Sequence, residues 1–267
     1  MSENLAAPQW RPKPLIGNPW LRYGLLVAAL AYGVIAYLTV DVDLERMWRG
    51  LPRTWLFIKG FIFPDFTSRS RDIIEGILES LSITVVSTAI GIVLSIGFGF
   101  GAARNIVPLP VYLFCRAVVA LSRSFHEIIV ALFFVALFGF GPFAGMLTLA
   151  FGSIGFISKL LAEEIEAMDM APVEAMRATG AGWFQIMIWA VLPQVGPRLV
   201  GLSLYRFDIN FRESAIIGVV GAGGIGGTLR TSIARYEYDT SSAILLIIIG
   251  IVFFCEVTSG YIRRRLL

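Results

Sequence analysis

Charge is the first thing this chain lacks. Only 15% of its 267 residues are Asp, Glu, Lys or Arg, where soluble domains carry about 25%. Hydrophobic residues make up 57%, too many for a water-soluble enzyme of this length to cover with polar surface. Histidine is nearly absent: His126 is the single one, so no His/Cys metal cluster is available and no metal is expected. The two cysteines, Cys115 and Cys255, lie in apolar runs and read as small buried hydrophobes rather than as a disulfide. Net charge is +3, and Arg263-Arg264-Arg265 is the one dense basic run. Nothing here suits nucleic acid. There is also no G-x-x-x-x-G-K-[ST] loop, so the chain brings no ATP-hydrolysing machinery of its own.

What the chain has is length of apolar run. A hydrocarbon core of about 30 Å needs roughly 20 helical residues. Six stretches qualify: 20–40, 73–102, 109–138, 142–162, 184–205 and 242–262. The first is followed by "TVDVDLE" rather than a small-residue cleavage site, so it reads as a retained anchor. An even number of crossings puts both ends on one side. The basic residues divide almost evenly between the two sides, and the positive-inside rule returns no orientation. The expected fold class is an all-α polytopic membrane protein with six transmembrane helices. Residues 41–71 carry Leu44, Met47, Trp48, Leu51, Trp55, Ile58 and Ile62 at helical spacing, the pattern of one or two helices lying in the outer interface or of an irregular cap.

Glycine gathers in "IIGVVGAGGIGGTLR", Ile216 to Arg230. Read literally, Gly221, Gly223 and Gly226 spell the G-x-G-x-x-G of a dinucleotide site. That site needs a second parallel strand within about 30 residues, and here the next element is a membrane run. The alternative use of glycine is close backbone approach. The segment is apolar, too short to cross, and lies in the connection 206–241, so a re-entrant or half-buried packing segment beside the pathway is expected. Ser80, Ser82, Thr84, Ser87, Thr88 and Ser95 dot the second run and read as helix-packing positions rather than pore lining.

The polar connection 163–182 carries five acids between Glu163 and Glu174. Pro172 suits the first turn of a helix, Glu174 complements its dipole and Gly180 suits its C′ position. A helix over 172–179 is predicted, too short to be stable alone. The run Glu174-Ala175-Met176, three residues, Gly180, nine residues, Ala190-x-Leu192-Pro193 resembles the signature of importer-type ABC transporter permeases, with Met176 and Ala190 departing from its usual small residue and isoleucine. "LYRFDINFRESAIIGVVGAGGIGG", Leu204 to Gly227, is similar to the phosphonate permease group in particular, although methionine importers share a related glycine element.

The resemblance implies type I ABC importer permease architecture over a core of 72–262, preceded by a tail, first span and interfacial segment (1–71) and followed by a basic tail (263–267). It implies that Pro172, Glu174, Ala175, Arg177, Gly180, Leu192 and Pro193 serve coupling to a dimer of ATPase subunits, which hold ATP and Mg. It further implies a phosphonate-binding protein outside, a second permease chain (most simply an identical one), a place in the bacterial cytoplasmic membrane, and cytoplasmic termini. Phosphite, phosphate and methionine stand as alternative cargoes.

Charges within spans mark function more often than on a soluble surface. Arg123, His126 and Glu127 fall in the third run, with Arg123 and Glu127 four apart and so on one helix face. Tyr205, Arg206, Asp208, Asn210 and Arg212, with Arg198, cluster at the outer end of the fifth. Arg123, Glu127, Tyr205, Arg206, Asp208, Asn210 and Arg212, with Gly221, Gly223 and Gly224, are the expected substrate pathway or binding-protein contact; for Arg123 and Glu127 the alternative is a structural ion pair with His126 at a helix interface. Two readings stand for Arg206 and Arg212: steering of an anion, or holding the glycine segment through Asp208. An intramembrane enzyme built on Arg123, His126 and Glu127 is a rival, thin for want of a nucleophile. An ATP-independent channel is another, and it leaves the coupling pattern unexplained.

Overall fold

The computed structural model describes residues 18–39 and 44–266; the proline-rich tail before Asn18, residues 40–43 and the side chains of the terminal arginines lie outside the described residues. Among the described residues every element is helical: α1 (Pro19–Thr39), α2 (Leu44–Ile62), α3 (Ser70–Gly101), α4 (Leu109–Ser124), α5 (Glu127–Phe138), α6 (Pro142–Ala167), α7 (Ala171–Ala178), α8 (Trp183–Ile186), α9 (Leu192–Val219), α10 (Ile225–Ala234) and α11 (Tyr238–Leu266). Five are long and apolar enough to cross a membrane: α1, α3, α6, α11 through Ile262, and the run Trp183–Val219. The pair α4 and α5, bent by 95° at its break, is a broken span, which would make a sixth crossing, or a re-entrant loop.

The chain divides after Trp55 into two compact units. In the first, α1 buries nothing, as a helix facing lipid should. The segment expected as one or two interfacial helices is one, α2, continuous through Pro52. At 100° per residue Leu44, Met47, Trp48, Leu51 and Trp55 fall on one side of it and Arg46, Arg49 and Arg53 on the other.

The second unit is built around the α3–α6 pair, its most extensive helix contact. Lipid tails are as apolar as leucine, so helices in a membrane associate through close packing and interhelical hydrogen bonds. Both operate here. A Cβ on Gly91 would lie 2.5 Å from that of Ser153. Ser95 donates to the Ser153 carbonyl at 3.1 Å, and Ser158 donates back to the Ser95 carbonyl at 3.1 Å. Ser80, Thr84, Ser87, Thr88 and Ser95 are all buried, so the hydroxyls of this span do serve packing; Ser82, which donates to the Leu78 carbonyl, is exposed.

The two ends of the bundle differ. At one, α7 and the α3–α4 turn meet over an apolar cluster of Ala102, Ala103, Ile106, Ile165 and Val173. At the other, Gly60 lies against the Tyr238 carbonyl that opens α11, and the Asp65 N–H bonds the Asp239 carbonyl at 3.2 Å. The hydroxyls of Ser68 and Thr67, with their backbone N–H groups, hold the Asp65 carboxyl well below the usual carboxylate range and close the turn into α3.

The glycine run answers to packing and to turn geometry together. The predicted connection 206–241 is mostly helix: α9 runs on to Val219, the chain turns at Val220–Gly224 and folds back as α10. Gly223 and Gly224 have φ of +80° and +77°, which disfavours any residue with a Cβ. A Cβ on Gly226 would come within 2.0 Å of the Ala215 carbonyl oxygen, because α10 lies directly on α9. The N–H of Ile225 is bonded by the buried Ser80 hydroxyl at 2.9 Å. Gly226→Ala is expected to destabilise the detergent-solubilised protein by about 1–3 kcal/mol, read as a lowered midpoint of thermal aggregation. Gly250→Ala, where no atom lies within 4 Å of the added Cβ, should leave that midpoint unchanged.

Candidate functional site

The first candidate lies at the end that carries α7. The predicted helix 172–179 is observed at Ala171–Ala178, with Pro172 in its first turn and Glu174 at its positive end. Gly180 takes φ +81°. Its N–H bonds the Arg177 carbonyl at 3.0 Å, and the Ala181 N–H reaches back to Met176 at 3.3 Å. That pair of bonds is a Schellman C-cap. Of the eight helical residues only Val173 is buried, with Met176 half-buried beside it, so Pro172, Glu174, Ala175 and Arg177 face outward. So short a helix survives because its surroundings are tied down. The Arg104 N–H and the Arg116 guanidinium both bond Glu166 (2.9 and 3.0 Å), Asn105 bonds the Ile165 carbonyl (2.8 Å), and the Trp183 indole bonds the Ile106 carbonyl (3.2 Å).

Leu192 and Pro193 open α9. Proline has no N–H to continue a helix, and the turn before it, Met187–Val191, loosens to π geometry, with the Leu192 N–H bonding Met187 five residues back. Ala190, which departs from the usual isoleucine, is 2% exposed and belongs to the apolar cluster under α7.

The second candidate lies at the bend between α4 and α5. The third run was expected as one continuous span, and the structure corrects this: Phe125 and His126 are extended, with ψ of 139° and 143°. Just before the break, the Ser122 hydroxyl inserts into the backbone of α6. It donates to the Phe151 carbonyl at 2.5 Å and accepts from the Gly155 N–H at 3.1 Å, the two groups an undisturbed α-helix would join. Gly155 makes the room: a Cβ there would lie 2.7 Å from that hydroxyl and 2.6 Å from Cγ of Arg123. After the break, the His126 ring accepts the Ile128 N–H at 3.3 Å and caps α5.

A hollow of about 330 Å³ opens at this bend, lined by Ser122, Arg123, Ser124, Phe125, His126, Glu127, Gly152, Phe156 and Arg206. Its back wall is a buried polar network. Arg206, with 4% of its side chain exposed, donates from Nε to Ser153 Oγ at 2.9 Å and from Nη2 to Glu213 at 3.3 Å. Its guanidinium also lies over the Phe156 ring at 5.6 Å. Asn210, one turn on, donates to Thr88 Oγ1 at 2.8 Å and Ser153 Oγ at 3.1 Å. Three helices, α3, α6 and α9, are thereby joined at one point.

This arrangement corrects two expectations. Arg123 and Glu127 do not share a helix face, since the helix ends between them; they meet on the rim of the hollow instead. The polar cluster of α9 is not at the outer end of its span, because the helix continues to Val219 and buries Arg206, Asp208 and Asn210 along its length. Arg206 turns to Ser153 and Glu213, on the face opposite Asp208. Tyr205 and Arg212 are exposed on α9, with the Tyr205 ring 5.8 Å from Phe156. Arg198 pairs with Glu164 at 2.9 Å, nearer α7. Gly223 and Gly224 lie apart from the hollow, at the opposite end from α7, where with Arg69, Asp72, Glu75 and Glu79 they line a second, more open cleft of about 340 Å³. Gly221 there accepts the Gly141 N–H at 3.0 Å. Sequence reasoning missed Ser122, Gly152, Ser153 and Glu213. Only Glu213 had a signal, seven residues after Arg206 on one helix face, and it was hidden by ending the span at 205.

The described residues form a multi-span helical bundle with an outward-facing short helix at one end and a charged hollow at the α4–α5 bend. Residues 87–267 match the family described as the binding-protein-dependent transport system inner membrane component, and the chain belongs to that family. It is 42% identical over 251 residues to the phosphate-import permease protein PhnE of Mycolicibacterium smegmatis, covering 92% of this chain and 46% of that one, so it spans under half of that relative's length. It is 38% identical to the phosphite transport system permease protein PtxC of Stutzerimonas stutzeri, covering 92% of this chain and 90% of that one. The fold is that of the methionine ABC transporter MetNI in its inward-facing conformations, with a TM-score of 0.65, 24% identity and coverage of 73% of this chain and 96% of that one.

Replacing Asn210 by Leu strands the Thr88 hydroxyl and removes the link between α3 and α9. The expected loss is about 1–3 kcal/mol, measured as a lower midpoint in thermal or mild-denaturant unfolding of the purified protein. Thr88→Val in the same background should then add little, since the two residues act as one unit.

Proposed function

We propose that this chain is the membrane subunit of an ATP-driven importer for phosphorus oxyanions, with organophosphonates as the principal cargo. The observation that carries the reading is the hollow at the α4–α5 bend, which Arg123, Glu127 and Arg206 line together within the span-forming helices. Guanidinium matches the geometry and charge of a phosphoryl oxygen pair, and an ionisable cluster in such helices serves a pathway. The similarity to permeases named for phosphate and phosphite, together with the Tyr205–Arg212 stretch, narrows the cargo to tetrahedral phosphorus anions. Phosphite and phosphate are the second reading, and those relatives' names favour it.

In this reading the core 72–262 does the work. The exposed face of α7, with Glu174, Ala175 and Arg177, docks on an ATPase subunit that binds ATP and Mg. Gly180 sets the angle of that face, and the Leu192-Pro193 opening of α9 transmits its movement. The α7 end is cytoplasmic, as is the C-terminal end of α11, and an even number of crossings puts the N-terminus there too. Exposed Arg123, Tyr205 and Arg212 cannot be left to lipid, so a second, identical permease chain faces them and the hollow opens into the pathway between the two. An outer binding protein delivers cargo at the end that carries the glycine turn. Nucleotide-driven closure of the ATPases swings the bundle between inward and outward openings.

Proteoliposomes holding the permease, its ATPase and its binding protein should take up labelled 2-aminoethylphosphonate only with ATP, with unlabelled phosphonates competing and methionine not. Methionine competition, or phosphate and phosphite outcompeting every phosphonate, would move the cargo. Glu174→Arg and Gly180→Asp should lose the ATPase on co-purification while keeping the permease in the membrane; retention of the ATPase with normal uptake by both would remove α7 from the coupling role.

A further inference from the structure

The charge placed around Arg206 poses a problem that the transport reading alone does not solve. A buried guanidinium that binds a phosphorus oxyanion well would hold it, and a pathway has to let go. The structure puts a carboxylate on that guanidinium already. Glu213 stands seven residues further along α9, on the same face, and accepts from Arg206 Nη2 at 3.3 Å with 20% of its side chain exposed. Glu127 approaches from the other side: the point above Gly152 where a Cβ would sit is 2.8 Å from Arg206 Nη2 and 3.6 Å from Glu127 Oε1. Gly152 lines the hollow and has no side chain to separate them. The Nε edge is different, being committed to the buried Ser153 hydroxyl at 2.9 Å, which itself bonds the Leu149 carbonyl at 2.6 Å. So Arg206 has one donor, Nε, fixed to the scaffold and one, Nη2, on a partner that is part-exposed and borne on a flexible side chain.

We propose that Glu213 is a tethered counter-anion, which occupies the cargo-binding edge of Arg206 in the empty pathway, is displaced by the oxyanion during passage, and returns to expel it. The inference rests on the oxyanion-importer reading and adds to it the residue that sets affinity at the site. Three features support it. The pair is a single hydrogen bond from one Nη2 rather than the bidentate fork that makes an arginine–carboxylate pair strong, so it is exchangeable. Two of the five N–H groups of Arg206 make hydrogen bonds to described residues, which leaves donors for an incoming phosphoryl group. Arg123, on the rim of the same hollow, supplies a cation where the anion enters. Glu127, which shares the guanidinium across Gly152, lowers its net pull further.

The test uses the permease–ATPase complex in detergent, with 2-aminoethylphosphonate and phosphite as probes in equilibrium binding, and the complete importer in proteoliposomes for uptake. Glu213→Gln keeps the hydrogen-bonding shape and removes the charge. Both probes should bind the variant complex about tenfold more tightly than wild type, while the maximal uptake rate per complex falls because release is slowed. A merely structural glutamate gives no gain in affinity. Arg206→Gln added to Glu213→Gln should abolish the gain. Unchanged or weaker binding by Glu213→Gln, or a gain that persists without Arg206, overturns the proposal while wild-type uptake leaves the cargo reading standing. Wild-type proteoliposomes that take up neither probe overturn the cargo reading and this proposal with it. Should Glu213→Gln not reach the membrane, Glu213→Asp keeps the charge but draws the carboxylate back from Nη2; tighter binding that Arg206→Gln abolishes supports the proposal, and no gain overturns it.

Discussion

The constraint on which this structure turns is that a polar group buried at membrane depth finds no water and must be satisfied by the protein. The chain meets it at one junction. Ser153 of α6 takes hydrogen bonds from Arg206 and Asn210 of α9, Asn210 reaches Thr88 of α3, and the Ser153 carbonyl accepts from Ser95. Each helix of the central trio is fixed by groups that would be stranded if it moved away. Once α3, α6 and α9 are set, α4 can only lie with Ser122 in the ladder of α6, and α5 has to leave at an angle. The bend, and the hollow it opens, follow from where the polar groups are satisfied.

Function inherits the same logic. The hollow has charged walls because α9 presents Arg206, paired behind it with Glu213, and the break in α4–α5 brings Arg123, His126 and Glu127 to its rim. At the α7 end, a helix too short to fold alone is held by Val173 and a rigid Gly180 cap, so that its remaining faces are free for a partner. The junction lies between the two places. α4 contributes to both: Arg116 reaches Glu166 beside α7, and Arg123, seven residues later, lines the hollow. Displacement at one end of so short a helix is felt at the other.

Much of this was legible in the residues. Run length revealed the membrane class and five of the six expected crossings, and the acid, glycine and Leu-Pro spacing placed α7 to within a residue, because a Schellman cap and an N-terminal proline are local chemistry. The bend in the third span was not legible. "SRSFHEII" carries no proline or glycine, and the contact made just before the break, the Ser122 hydroxyl in the backbone of α6, joins residues 29 apart in sequence. The extent of α9 was misjudged for a related reason: Arg206, Asp208 and Asn210 look like a water-exposed end, and it is the partners of Arg206 and Asn210 on α3, α6 and α9 itself that let those two lie inside. Periodicity sees one helix at a time. The glycine run was half legible, since close packing followed from its setting but the positive φ of Gly223 and Gly224 belongs to a turn that composition does not announce.

The central claim is that the α4–α5 bend opens a polar chamber to the transport pathway, and solvent access to its rim tests it most directly. With Cys115 and Cys255 replaced, His126→Cys would be offered to a membrane-impermeant thiol reagent in proteoliposomes, with the ATPase present. The account predicts modification by the water-soluble reagent that is slowed by 2-aminoethylphosphonate or phosphite and that changes with nucleotide. A cysteine at 126 reached only by lipid-soluble reagents, indifferent to oxyanion and to ATP, would place the bend against lipid and contradict it.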